Sequence, residues 1–212
     1  MTTLATMKAR IASELRRSDL TTQIADNINT AISAYEHERW FFNESRENIF
    51  LTVDEQPNYD SSDAAFIGLI SKTDYLFIVV GDQPFQLLPE TMAFIEDSNT
   101  NNTFLGQPAW YAWYDEQFWL YPVPNEVWTV RVGAVLEQAA PATDGETGNP
   151  WMNKAERLIR SRAKYEIYTH ILKDLEQAQV MASAVTEAYE QLNTRTTRKV
   201  KTGPGRVKAM RF

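Results

Sequence analysis

An α+β fold is predicted for this 212-residue chain: two N-terminal and two C-terminal helices packed as a four-helix bundle, a small antiparallel β-domain inserted between them, and an extended basic C-terminal tail. Three observations lead there. Apolar residues recur at helical spacing up to about residue 44 and again from residue 149. Between those stretches, short apolar runs are broken by turn residues. The last eighteen residues, Arg195 to Phe212, carry seven Lys and Arg and no Asp or Glu. The expected organisation is a helical domain of residues 1–44 and 149–194, a β-rich insertion of residues 45–148, and a basic tail of residues 195–212.

The first helix starts at Leu4, places Met7, Ile11 and Leu15 on one face, and stops in the polar run Arg16-Arg17-Ser18-Asp19. A second follows, with Asp19 or Thr21 as its cap. Its apolar face is Ile24, Ile28, Ala31, Ile32 and Tyr35, with Asp26, Asn27 and Glu38 towards solvent, and it runs to the aromatic cluster Trp40-Phe41-Phe42. From about Ile49 to Glu137 the pattern is β-like. Tyr75 to Val80 is apolar on both faces, and Gly81-Asp82 turns it towards Phe85 to Leu88. Pro89 opens a short helix through Met92, Phe94 and Ile95. A second hairpin joins Trp110–Trp113 to Phe118–Tyr121 across Asp115-Glu116, and Val127 to Val135 is a further strand.

Residues 138–149 have the composition of an exposed loop. Helix returns with Asn149 as N-cap and Pro150 at the first helical position. Trp151, Ala155, Ile159, Ala163 and Ile167 form one stripe of it, and Leu158, Tyr165 and Leu172 another, so it should touch neighbours on two sides. Asp174 with Gln177 is a capping-box pattern for the last helix, whose seam is Leu175, Ala178, Ala182, Val185, Tyr189 and Leu192.

Charge and composition narrow the chemistry. Residues 1–194 hold 14 basic and 28 acidic side chains, so a body at −14 carries a tail at +7. An acidic surface repels phosphate, which argues against stable wrapping of nucleic acid, while the tail alone could contact it. Gly203, Pro204 and Gly205 and the small number of large apolar residues leave the tail little to offset the entropy of ordering, so it is suited to capture by a partner. The absence of cysteine excludes disulfides, thiolate metal sites and thiol catalysis. No stretch approaches the roughly 20 apolar residues of a membrane span, and Met1-Thr2-Thr3-Leu4 does not begin a signal peptide, so a cytosolically made protein without a membrane role is expected.

Catalytic signatures are sparse. His37 and His170 each fall in an expected helix, and Glu36-His37-Glu38 cannot chelate one metal from a single helix because adjacent residues face different directions. No Gly-rich phosphate loop, G-x-S-x-G or H-E-x-x-H occurs, and no cofactor is expected. Asp54-Glu55, Glu96-Asp97 and Asp115-Glu116 are paired carboxylates, the tools of glycoside cleavage, but they read more economically as turn and helix-end charges. Trp110 to Tyr114 and Phe118 to Tyr121 could stack sugars or single-stranded nucleic acid. With no interleaved cations they read instead as cross-strand pairs filling a core.

The N-terminal pair, from Asp19-Leu20-Thr21 through Ile24, Ile28, Ala31-Ile32 and Tyr35-Glu36 into Arg39-Trp40-Phe41-Phe42-Asn43-Glu44, resembles the start of the head-to-tail adaptor proteins of tailed bacteriophages, also called connector or tail accessory factor proteins. Gly106-Gln107-Pro108 before an aromatic strand, Leu120-Tyr121-Pro122-Val123-Pro124 after the hairpin, and the helix beginning at Trp151 agree with it. Tyr35, Arg39, Trp40, Phe41, Phe42 and Trp151 carry the structural motif of this resemblance.

The resemblance implies a non-enzymatic virion protein at the capsid–tail neck, a homo-oligomeric ring of twelve copies beneath the portal. The helices would form the ring wall and the insertion would face the tail side or the exterior. Its partners would be the portal protein, a downstream tail or neck protein, and double-stranded DNA in transient, non-specific contact within the channel. The portal-binding residues would be Arg195, Arg198, Lys199, Val200, Lys201, Arg206, Val207, Lys208, Arg211 and Phe212, with the Lys199-Val200-Lys201 region able to add a strand to a partner sheet. Two other readings stand beside it: a virion-associated peptidoglycan hydrolase using carboxylates such as Glu55 and Glu116, and a nucleic-acid-binding module acting through the tail.

Overall fold

The computed structural model describes residues 2–200, which form a mixed α+β structure of two compact units: one of residues up to 42 and from 139 onward, the other of residues 43–138. Lys201, Arg206, Val207, Lys208, Arg211 and Phe212 of the expected portal-binding set lie outside the described residues.

In the first unit, α1 (Leu4–Leu15) buries Leu4, Met7, Ile11 and Leu15, the row expected from their spacing. Thr3 and Thr6 cap it reciprocally, each hydroxyl accepting the other's backbone N–H. Helix α2 (Thr21–Ser33) buries Ile24, Ile28, Ala31 and Ile32. Neither expected residue caps it. Leu20 holds that position without a side-chain bond, and the Asp19 carboxylate is taken by Arg17 in two hydrogen bonds of 2.8 and 2.7 Å. Those bonds hold the Asp19 carboxyl down to about 2.

Helix α2 also stops short of Trp40. Beyond Ser33 the chain tightens into turns, with Tyr35 N–H donating to Ile32 O (2.9 Å) and Glu38 N–H to Tyr35 O (3.2 Å). The Trp40 indole N–H also donates to Tyr35 O, at 3.1 Å, so that carbonyl serves the turn that follows the helix with both its lone pairs. His37 therefore lies in a turn, not in a helix.

The connecting residues 139–148 cluster with the helices because they are pinned to α1. Ala5 N–H donates to Asp144 O (3.0 Å), and Lys8 pairs with the Asp144 carboxylate (2.5 Å). Asn149 then accepts from Trp151 N–H (3.0 Å) as the cap of α4 (Pro150–Asn153). The single helix expected here is interrupted at Lys154-Ala155. It resumes as α5 (Glu156–Glu166) and widens into a π-helical turn, Ile167–Leu172. Trp151, Ala155, Ile159, Ala163 and Ile167 are all buried; of the second stripe Leu158 is buried and Tyr165 and Leu172 half-buried.

Asp174 caps α6 (Leu175–Val200), accepting from Gln177 N–H at 3.1 Å. Leu175, placed in the seam by its spacing, is 73% exposed; the packed row begins at Ala178 and continues through Val185, Ala188, Tyr189 and Leu192. The four elements α1, α2, α5 and α6 share one apolar core with Trp40 and Trp151.

The second unit is a curled seven-stranded sheet in the order β1-β7-β3-β4-β5-β6-β2: β1 (Glu44–Leu51), β2 (Asn58–Tyr59), β3 (Ile70–Val80), β4 (Gln83–Pro89), β5 (Trp110–Tyr114), β6 (Gln117–Tyr121) and β7 (Thr129–Leu136). Pairing is antiparallel except for the short parallel contact of β4 with β5. Gly81, at φ +60°, makes the β3–β4 turn, and Asp115 and Glu116, at +52° and +56°, make the β5–β6 turn, the left-handed pair that a two-residue hairpin demands.

Strand β1 starts five residues before the expected Ile49, where its polar residues hide the period. Pro89 ends β4 and opens nothing; Thr91 caps α3 (Met92–Ser98), accepting from Phe94 N–H at 3.2 Å. Phe50, Tyr59, Ile67, Leu76, Ile78, Leu87, Phe118, Leu120, Val130 and Val132 fill the core. The aromatic hairpin contributes Tyr111 and Phe118 to it, as cross-strand core pairs and not as an open platform.

Candidate docking site at the end of the last helix

The aromatic residues that follow α2 form a box under the C-terminal part of α6. Trp40 is fully buried and meets Tyr189 edge to face at 5.7 Å and Phe42 at 6.4 Å. Phe42 meets Trp151 (5.3 Å, 82°) and Phe41 (5.4 Å, 84°), and Tyr35 lies 6.1 Å from Tyr189. These separations are those of favourable aromatic pairs, stacked for Trp40 and Phe42 and edge-to-face or tilted for the others. Tyr189, which the seam spacing marked only as a packing position, is the centre of the box. Its hydroxyl donates to Glu38 (2.8 Å), a residue expected to face solvent, and this bond is the main reason the Tyr189 phenol is pushed above its ordinary range. Burial does the same to Tyr35.

Phe41 carries the basic end of the helix. Lys199 Nζ stands 4.0 Å above the ring centroid and the Arg195 guanidinium 5.5 Å from it. Both are cation–π distances. Thr196 between them is buried and donates to Leu192 O (3.0 Å), extending the packed row by one turn. The expectation of an extended tail from Arg195 is therefore corrected. Arg195, Arg198, Lys199 and Val200 belong to α6, because one further buried position and one aromatic ring hold the last described turn in register. The charge remains outward, since Arg195, Arg198 and Lys199 are exposed.

The motif residues Tyr35, Trp40, Phe41, Phe42 and Trp151 thus converge in one place. Arg39 is exposed in the turn before them. The candidate acids do not assemble into a site: Glu55, at φ +61°, and Glu116 are exposed turn residues. His170 is exposed and lies 3.2 Å from Glu166, which also pairs with Arg162 (2.6 Å). Among the described residues no group of three His, Cys, Asp or Glu could hold a metal, and no helix is long and apolar enough to cross a membrane.

Compared with known families, the chain matches the model of the SU10 adaptor protein over residues 2–208. No curated protein matches it.

Proposed function

Because the chain belongs to the SU10 adaptor protein family, a family of phage head–tail adaptors, we propose that it forms a ring, of twelve copies, beneath the portal, joining capsid to tail around the DNA channel. Membership itself implies a structural virion protein that contacts other head or tail proteins, in place of an enzyme. The four-helix arrangement of α1, α2, α5 and α6 forms the ring wall in this reading. The β unit serves the tail side or the exterior, and residues 195–212 dock to the portal.

The charge split is the observation that carries the finer reading: a body at −14 and a terminal segment at +7 in one chain. Acidic groups on the bore repel the duplex and let it slide, limiting contact with DNA to transient, non-specific encounters. The cations are free to serve a protein partner. Anchoring Arg195 and Lys199 on Phe41 gives the segment a fixed point of departure, which lowers the entropy lost on docking.

Removing residues 201–212 leaves Leu192, Thr196 and the Phe41 contacts in place, so the truncated protein should fold and lose portal binding in a pull-down. Undiminished binding would refute the docking role. Native mass of the full chain with and without portal reads the ring directly, and a monomer under both conditions would refute it.

A further inference from the structure

On the outer face of β1, β7 and β3 lies a hollow of about 400 Å³ lined by Arg46, Glu47, Ile49, Tyr75, Phe77 and Arg131. The register explains it. Ile49, Arg131 and Phe77 stand directly beside one another across the three strands. Along β7, Gly133 is on the same face two residues on, and its missing side chain lets the Tyr75 ring lie over the backbone as a floor. Ile49 is 56% exposed and its same-face neighbour Leu51 57%, on a strand that is the edge of the sheet. No ion pair of Arg46 or Arg131 occurs among the described residues. An exposed apolar edge face flanked by two guanidinium groups offers a surface that a partner can cover.

The same unit carries a feature of matching chemistry. At the tip of the β5–β6 hairpin, Tyr114 is 59% exposed and is followed by Asp115 and Glu116, both exposed and both held at positive φ. The tip thus presents one aromatic ring and two carboxylates on a turn of fixed conformation.

We propose that the hairpin tip Tyr114-Asp115-Glu116 of one copy seats in the Arg46–Ile49–Phe77–Arg131 hollow of the next. Tyr114 covers Ile49 and Phe77, and the carboxylates pair with the two arginines. Glu47 at the rim leaves the hollow net positive and excludes a deeper acidic insertion. The contact is heterologous, one surface against a different one, the kind of contact that builds a ring when the rotation between copies closes. It rests on the ring reading above and assigns that ring an interface in the β unit.

The chain has no cysteine, so engineered thiols report without background. Ile49→Cys and Tyr114→Cys are made as separate proteins, purified, and oxidised alone and mixed, with and without portal. Both sites are exposed, so folding should be retained. The expected result is a disulfide-linked dimer in the mixture only, with D115N/E116N lowering its yield about tenfold or more. Links within Ile49→Cys alone at equal yield would indicate a two-fold contact and overturn the proposal. Assemblies of ring mass lacking the mixed link would overturn this interface and leave the ring intact; failure to assemble under any condition would overturn both.

Discussion

Gly133→Ala tests the packing of the sheet at its tightest point. A Cβ there would lie within 2.6 Å of three Tyr75 ring atoms, Cζ, Cε1 and Cε2, where carbon atoms in contact stand about 3.5–4.0 Å apart. Either the ring stays and the strands strain, which for an added methyl in a packed site costs about 1–3 kcal/mol, or the half-buried ring swings out. Swinging out forfeits its pair with Phe77, now at 5.4 Å and 66°, a contribution of about 0.5–1.5 kcal/mol, together with its own burial. Against this, alanine restricts the unfolded chain and stabilises by about 0.4–1 kcal/mol.

The net expectation is a loss of about 1 kcal/mol. In a Tyr75→Ala background the obstacle is gone and only the gain remains, so the same substitution should there stabilise by about 0.5 kcal/mol. Urea unfolding of the four proteins gives a coupling of about 1.5 kcal/mol. If Gly133→Ala is neutral in the parent, or has equal effect in both backgrounds, the ring does not rest on that glycine. The floor assigned to the outer hollow would then be wrong as well.

Phe41→Leu removes the ring under two cations, each contact worth about 0.5–1 kcal/mol at an exposed site. The global unfolding midpoint should fall modestly with loss of the Phe41–Phe42 pair, and hydrogen exchange should accelerate further, several-fold, in residues 195–199; unchanged protection there would show that the last turn is held by other means. Tyr59 is fully buried, its hydroxyl donates to Gln56 O (3.0 Å) and accepts from Val53 N–H (3.0 Å), and burial pushes its phenol up to about 12. A raised folded value means that the unfolded chain releases the proton first. This contribution is complete below the unfolded value of about 10 and is lost as pH rises towards about 12. Urea midpoints measured across that window should fall in the parent and fall less in Tyr59→Phe; parallel slopes would refute the assignment.

Much of this molecule is legible from residue types alone, for a definite reason. Helix faces follow from local spacing, so the rows Leu4-Met7-Ile11-Leu15 and Ile24-Ile28-Ile32 could be assigned without neighbours. The Asp115-Glu116 turn, the Asn149-Pro150 start and the Asp174 cap are likewise set by chemistry within four residues. The charge division between body and terminus is a property of the chain itself, independent of folding.

Other features depend on which group a side chain meets, near or far in the chain. Trp40 bonds the Tyr35 carbonyl in the turn that follows α2, and Arg17 takes the Asp19 carboxylate. Strand β1 is drawn from an unpatterned polar stretch by pairing with β7, some eighty residues later in the chain. The basic residues from Arg195 to Val200 lie in α6, with Phe41, far away in the chain, beneath Lys199. Local preference amounts to a few tenths of a kcal/mol per residue, and a single buried ring or captured carbonyl is worth more. Periodicity therefore decides which elements form, and tertiary contacts decide where they end and what they carry.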